Sequence, residues 1–203
     1  MVAMISHLLK PAVTRVITPA ARGLLRIGFT PNSITMLGAV GVVASAFYFY
    51  PRSNFFVGSL VVSFFILSDL FDGTMARVSE AGSSDWGGFL DSTLDRITDA
   101  AVIMGLIFAL DKNSDPLTPV VIVALVTGIL VPYIRAKAES IGVECSGGLA
   151  ERSERLIIAM LAIILHGLEV PYALTIGMWL LALLGTFTVI QRVFIVRKAV
   201  GNT

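Results

Sequence analysis

Long apolar segments constrain this chain more than any other feature. A window of about twenty residues, the length a helix needs to cross a bilayer, finds six of them. They lie at 33–50, 55–78, 87–110, 117–139, 152–168 and 171–196. Only 14% of the 203 residues are charged, whereas charged residues make up about 25% of a soluble domain. The sequence therefore predicts an all-α integral membrane protein with six transmembrane helices.

The N-terminal residues have a different pattern from the six spans. In residues 4–28, apolar positions recur every three or four residues, basic residues lie among them, and Pro11, Pro19 and Gly23 interrupt them. This pattern favours an amphipathic helix in the membrane interface over a span. A signal peptide is the rival interpretation, but no compact apolar region followed by a cleavage site is present. We expect an interfacial helix over 1–30 and one transmembrane domain over 31–200.

The distribution of lysine and arginine predicts the orientation. With six spans both termini lie on one side of the membrane, and among the basic residues outside the apolar segments only Arg52 and Lys112 fall on the other side. The positive-inside rule therefore places the termini and the acidic stretch at 68–96 on the cytoplasmic side. We expect the protein to lie in the cell (inner) membrane. The formal net charge of +1, without a basic tail, gives no indication of nucleic-acid binding.

Four regularly spaced aspartates lie at the edge of two of the most apolar segments. Asp69 and Asp72, near the end of span two, are three residues apart, and Asp91 and Asp95, near the start of span three, are four apart. On a helix each pair shares a face, and a short turn makes the two helices antiparallel neighbours. The four carboxylates are therefore expected to converge on one point at the cytoplasmic side.

A cluster of carboxylates at a membrane needs positive charge to offset it. Each charged residue costs roughly 2.5–3.5 kcal/mol at the bilayer centre and less near the interface. An all-oxygen set of carboxylates is what Mg²⁺ or Mn²⁺ selects, with Ca²⁺ as a competitor, and four could hold two ions. Gly73, Ala76 and Gly87 leave room for a ligand, and Arg77 is suited to bind a phosphate. The stretch predicts a metal-dependent phosphate-handling site.

The pattern D-x-x-D-G-x-x-A-R, nine residues, then G-x-x-x-D-x-x-x-D resembles the signature of the CDP-alcohol phosphotransferases. This resemblance implies transfer of a phosphate-linked group from a CDP-alcohol to an acceptor hydroxyl, with release of CMP. It implies two divalent ions, Mg²⁺ with Mn²⁺ as the alternative, and a homodimer. The eight fixed positions are filled by Asp69, Asp72, Gly73, Ala76, Arg77, Gly87, Asp91 and Asp95.

The resemblance also implies a role for each residue. Asp69, Asp72 and Asp91 would be metal ligands, and Asp95 would be the general base that also touches a metal. The cytidine diphosphate would contact Gly73 and Arg77, together with Ser84 more than Ser83; the small residues Ala76 and Gly87 border the same donor site. The segment Thr30-Pro31-Asn32-Ser33-Ile34 opens span one on the same side, where a helix N-terminus could bind the nucleotide or simply be capped.

A second, basic group of residues predicts the acceptor. A cytoplasmic pocket bordered by Arg135, Arg155 and Arg192, with Lys137 and Arg152 in reserve, would suit an acceptor that bears a phosphate. The alternatives are charges that set the topology and pairing with Glu151 or Glu154. We expect Asp99, one turn beyond Asp95, to have a structural role, as a partner of Asp95 or paired with Arg96.

Residues 133–157, YIRAKAESIGVECSGGLAERSERLI, resemble the corresponding region of bacterial phosphatidylinositol phosphate synthases. That resemblance implies CDP-diacylglycerol as donor and inositol 1-phosphate as acceptor; where those relatives have K-A-R, this chain has Arg135-Ala136-Lys137. One alternative is a phosphatidylglycerophosphate synthase that uses glycerol 3-phosphate. Another is a cation-coupled transporter. Transporters of this kind are commonly built from two repeats, and the second half of the chain has no acidic motif that matches the first, which argues against this alternative.

Overall fold

A computed structural model describes residues 17–79, 84–145 and 152–201. In these ranges the regular structure is helical. Residues 17–26 form α1, and a single 3₁₀ turn, Tyr50–Arg52, follows α2. The remaining helices are α2 (Pro31–Phe49), α3 (Phe55–Ile66), α4 (Ser68–Val78), α5 (Asp85–Lys112), α6 (Thr118–Ser140), α7 (Arg152–Gly167) and α8 (Ala173–Val200). The all-helical class is confirmed.

Four helical stretches are long and apolar enough to cross a membrane: Pro31–Arg52, Phe55–Val78, Thr118–Ser140 and Ala173–Val200. The helix α5 has 28 residues, enough for about 42 Å, but the aspartates in its first half make it more polar. The helix α7 has only 16 residues. A membrane protein is therefore supported, while spans at α5 and α7 stay a prediction.

The chain divides into two compact units. The first contains residues up to Ala44 and Val62–Thr98, and the second contains Ser45–Val61 and residues from Asp99 onward. In the first unit, α1 is amphipathic: Ala21 is completely buried against Ile34 of α2 and Met75 of α4, and Leu24 and Leu25 pack beside it. The apolar face of α1 therefore packs on the protein, and its position in the membrane interface stays a prediction.

Small residues let α2 approach α3 and α4 closely within the first unit. A Cβ at Gly38 would overlap the side chain of Ser68, and one at Gly41 would overlap the ring of Phe65. Close approach at small residues is how membrane helices gain packing energy in lipid. The contact holds α2 beside the junction at Leu67, where α3 ends and the aspartate-bearing α4 begins.

In the second unit, α8 packs on both α6 and α7. A Cβ at Gly185 of α8 would overlap Thr127 of α6. Along another stripe of α8, Ile176, Leu183 and Phe187 are exposed. Because these residues are seven and four apart they share one face, which suits contact with lipid chains rather than water.

Candidate active site

The helix α2 begins with a reciprocal capping box that involves two residues of the predicted nucleotide segment. The Ser33 N–H donates to Thr30 Oγ1 at 3.2 Å, and the Thr30 N–H donates to Ser33 Oγ at 2.9 Å. Pro31, in the first turn, has no N–H to donate. The predicted N-cap is therefore real, and Asn32 supplies the backbone N–H of this turn that the capping box does not use.

The first aspartate pair lies on α4, as its spacing predicted. Asp72 is buried, with 7% of its surface exposed, and its Oδ2 accepts a hydrogen bond of 2.5 Å from Thr35 Oγ1 on α2. Asp69 is on the same helix, but its side chain is not among those that the structure describes. Thr35 lies one residue beyond the predicted nucleotide segment and was not predicted as a site residue. The sequence feature that could have indicated it is its position four residues after Pro31, on the same face of one helix.

The predicted phosphate-binding residues follow Asp72 on α4. Gly73 has no atom near its missing Cβ except Arg77 Nη1, which would lie at 3.7 Å, and Ala76 is partly buried. The exposed Arg77 donates from Nη2 to the buried hydroxyl of Thr74 at 3.0 Å. This bond restricts the guanidinium while leaving other N–H groups to a phosphate.

The helix α5 is capped by a serine that is predicted to contact the nucleotide. The Gly87 N–H donates to Ser84 Oγ at 3.0 Å, so Ser84 is the N-cap of α5. A Cβ at Gly87 would lie 3.1 Å from Ser84 Oγ and 3.2 Å from Asn32 Oδ1. The absence of a side chain at Gly87 therefore lets Asn32 approach the start of α5.

The second aspartate pair follows on α5. Asp91 is exposed, and the side chain of Asp95 retains 16% exposure, with its Oδ2 4.0 Å from Nη1 of Arg96. That Nη1 is buried without a hydrogen-bond partner among the described residues. The arrangement places positive charge beside the predicted base, whereas the sequence suggested Arg96 only as a partner of Asp99.

The donor set of this first unit suits a divalent cation. Among the described side chains, no three His, Cys, Asp or Glu residues lie close enough together to hold a metal ion. The side chain of Asp69 is not one of the described side chains. The carboxylates of Asp72, Asp91 and Asp95 are the hard oxygen ligands that Mg²⁺ and Mn²⁺ prefer. The buried, hydrogen-bonded carboxylate of Asp72 is the part of the set that is already oriented.

The predicted acceptor residues lie in the second unit. Arg192 of α8 donates from Nη1 to the Val131 carbonyl of α6 at 2.6 Å. Arg135 lies one turn further along α6, exposed and bonded to Glu139 at 2.8 Å. Arg192 thus contacts α6 one turn before Arg135. Arg155 is partly buried on α7.

The reserve candidates for the acceptor have different surroundings. Arg152 forms two hydrogen bonds of 3.2 Å with the carboxylate of Asp99, which joins α7 to α5. Asp99 therefore has a structural role, and its partner is Arg152 rather than Arg96. Lys137 and Arg197 line an open cavity of about 310 Å³ between α6 and α8, whose wall also includes Val193 and Val196.

Comparison with known proteins gives a consistent result. The CDP-alcohol phosphatidyltransferase family matches residues 29–191. The phosphatidylinositol phosphate synthase of Streptomyces avermitilis is 42% identical over 205 residues, which cover 97% of this chain and 84% of the relative. The Mycobacterium tuberculosis protein of the same name is 41% identical over 197 residues, covering 95% and 90%.

Solved structures agree with the sequence matches. The crystal structure of the Mycobacterium tuberculosis phosphatidylinositol phosphate synthase with CDP-DAG bound has a TM-score of 0.85 and 42% identity, and the match covers 90% of this chain and 94% of that one. The same protein in complex with manganese and citrate has a TM-score of 0.83 and 41% identity, covering 89% and 88%.

Proposed function

The chain belongs to the CDP-alcohol phosphatidyltransferase family, and we propose that it is a membrane-bound phosphatidylinositol phosphate synthase. It transfers the phosphatidyl group of CDP-diacylglycerol to a hydroxyl of inositol 1-phosphate and releases CMP. The observation that carries the proposal is the aspartate site on α4 and α5 in a chain about 40% identical, over almost its whole length, to proteins with this name. Family membership leaves the transporter alternative without support.

The reaction is an in-line displacement at phosphorus. Asp95 accepts the proton of the acceptor hydroxyl, whose oxygen attacks the phosphorus that carries diacylglycerol. A new oxygen–phosphorus bond forms, the bond from that phosphorus to the bridging oxygen breaks, and CMP leaves with the bond's electron pair. The Arg96 guanidinium lies beside this carboxylate, with its Nη1 4.0 Å from Asp95 Oδ2.

Asp69, Asp72, Asp91 and Asp95 would hold the divalent cations, with Mg²⁺ or Mn²⁺ as the ion and two as the number. When bound, the cations would neutralise the pyrophosphate and stabilise the negative charge on departing CMP. The manganese in the structural neighbour supports a divalent metal here.

The donor's nucleotide is bound by residues that surround these aspartates. Arg77 contacts a phosphate with the N–H groups that Thr74 does not engage. Gly73 and Ala76 allow the pyrophosphate to approach α4. The segment Pro31–Ile34 and the α5 cap at Ser84 and Gly87 contact the rest of the nucleotide, and the contact between Gly87 and Asn32 supports this assignment.

The acceptor phosphate is bound by Arg135, Arg155 and Arg192. The contact of Arg192 of α8 with Val131 of α6, one turn before Arg135, supports this assignment, because two guanidinium groups can share one phosphate. Further proposals are a catalytic domain at 31–200 with six spans, an interfacial α1, both termini and the active site in the cytoplasm, and a homodimer in the cell membrane.

The decisive experiment measures CMP release by the purified protein with CDP-diacylglycerol and one acceptor at a time. Inositol 1-phosphate, inositol, glycerol 3-phosphate and serine are compared at equal concentration. We expect turnover with inositol 1-phosphate and little with inositol, which lacks the phosphate. A preference for glycerol 3-phosphate would instead make the enzyme a phosphatidylglycerophosphate synthase.

A further inference from the structure

The hydroxyl of Thr35 connects the two helices that carry the donor site. Its Oγ1 lies 3.0 Å from the Pro31 carbonyl oxygen on α2 and 2.5 Å from Oδ2 of Asp72 on α4. A threonine hydroxyl has a single proton to donate. A carboxylate is the stronger acceptor and gives the shorter bond, so the proton lies toward Asp72.

We propose that Thr35 is a positioning residue, which fixes the Asp72 carboxylate in the orientation that receives the metal ion. This inference rests on the proposed metal site. An outer hydrogen-bond partner of a metal-binding carboxylate sets the rotation of the group and selects which oxygen is left to the metal. The bond from Thr35 to Oδ2 would hold the Asp72 carboxylate in one orientation when the cation binds.

Burial makes this bond hard to replace. Thr35 and Asp72 are only 8% and 7% exposed, and a buried carboxylate that loses a donor cannot easily recover it from bulk water. Packing on both sides keeps the helices in register: Ile34, next to Thr35, and Met75, one turn beyond Asp72, belong to the same buried cluster.

The test uses Thr35→Val, which removes the hydroxyl, and Thr35→Ser, which keeps it. Mn²⁺ binding to the purified protein is followed by electron paramagnetic resonance without any lipid substrate, so that the readout is independent of turnover. We expect Thr35→Val to raise the Kd for Mn²⁺ about 10- to 100-fold. Thr35→Ser should restore an affinity close to that of the unmodified protein.

The matched control is Thr188→Val on α8. Thr188 is also buried, at 1% exposure, and its hydroxyl donates to a carbonyl one turn back, that of Leu184, at 2.7 Å. The substitution removes the same hydroxyl from a buried helix, but at Thr188 that hydroxyl bonds to a backbone carbonyl rather than to a carboxylate. We expect Mn²⁺ affinity to be unchanged in this variant, and a folding defect would lower the number of sites rather than the affinity of each.

Asp72→Asn separates the inference from the proposed function. If the unmodified protein binds Mn²⁺ no better than Asp72→Asn, the proposed metal site is wrong. If Asp72→Asn weakens binding but Thr35→Val retains the unmodified Kd, the metal site stands and the positioning role of Thr35 is overturned. Equal loss of affinity in Thr35→Val and Thr188→Val would likewise overturn it.

Discussion

Adding one methyl group at Gly87 should weaken donor binding, whereas the same change at Gly88 should not. A Cβ at Gly87 would lie 3.1 Å from Ser84 Oγ and 3.2 Å from Asn32 Oδ1, closer than ordinary contact, while a Cβ at Gly88 would meet nothing within 4 Å. Both substitutions remove a glycine from the first turn of α5 and gain up to about 1 kcal/mol in helix propensity. Gly88→Ala is therefore a control matched in position and chemistry.

The magnitude follows from what Gly87→Ala displaces. The new methyl must push the Asn32 amide or the Ser84 hydroxyl by a few tenths of an ångström, which weakens one hydrogen bond to the nucleotide. One neutral hydrogen bond contributes about 0.5–1.5 kcal/mol, so CDP affinity should fall about 2- to 12-fold. Thermal stability should not fall in either variant, because the displaced groups are ends of side chains.

The assay is calorimetric titration of CDP into the purified protein with Mg²⁺ present, supported by the KM for CDP-diacylglycerol. We expect weaker binding for Gly87→Ala and unchanged binding for Gly88→Ala. The reasoning is refuted if both variants bind CDP like the unmodified protein, since Asn32 and Ser84 would then have no part in the donor site. A similar loss in both variants would also refute it, because the contact at Gly87 would not be the cause.

Three other changes test the remaining assignments. Asp95→Asn should lower turnover at least about 100-fold while CDP and Mn²⁺ still bind, and near-normal turnover would remove Asp95 as the base. Arg135→Gln should raise the KM for inositol 1-phosphate about tenfold, as expected for loss of a charged hydrogen bond, with an unchanged KM for CDP-diacylglycerol; a change in the donor's KM alone would contradict the assignment. Gly185→Ala should destabilise the protein by about 1–3 kcal/mol through overlap with Thr127, measured by thermal unfolding, and Thr127→Ala should partly restore stability if that overlap is the cause.

The predicted family and the all-helical class are confirmed, and both depended on local features of the sequence. The aspartates were recognised because their spacing of three and four residues is a property of one helix at a time. The cap at Thr30 and Ser33 and the cap at Ser84 also depend on neighbours in sequence. These features need no knowledge of the rest of the fold.

Sequence patterns were less informative about the polar helices. The charges that form the site lower the hydropathy of α5, so composition alone does not establish it as a span. Arg152 was a reserve candidate for the acceptor phosphate, yet it pairs with Asp99, 53 residues away in sequence. Arginines next to the membrane look alike in sequence. Only their partners in the fold distinguish the arginines that bind a ligand from those with a structural role.

A helical membrane protein with two aspartate pairs, each on one face of its helix, could be predicted from the sequence, together with the chemistry that such carboxylates support. The bond from Thr35 to Asp72, 37 residues away, and the position of Asn32 beside Gly87 could be found only in the folded chain. The two kinds of feature differ in their range along the chain. Helical periodicity is set by hydrogen bonds within four residues, whereas contacts between helices depend on how small residues such as Gly38 allow whole helices to approach one another.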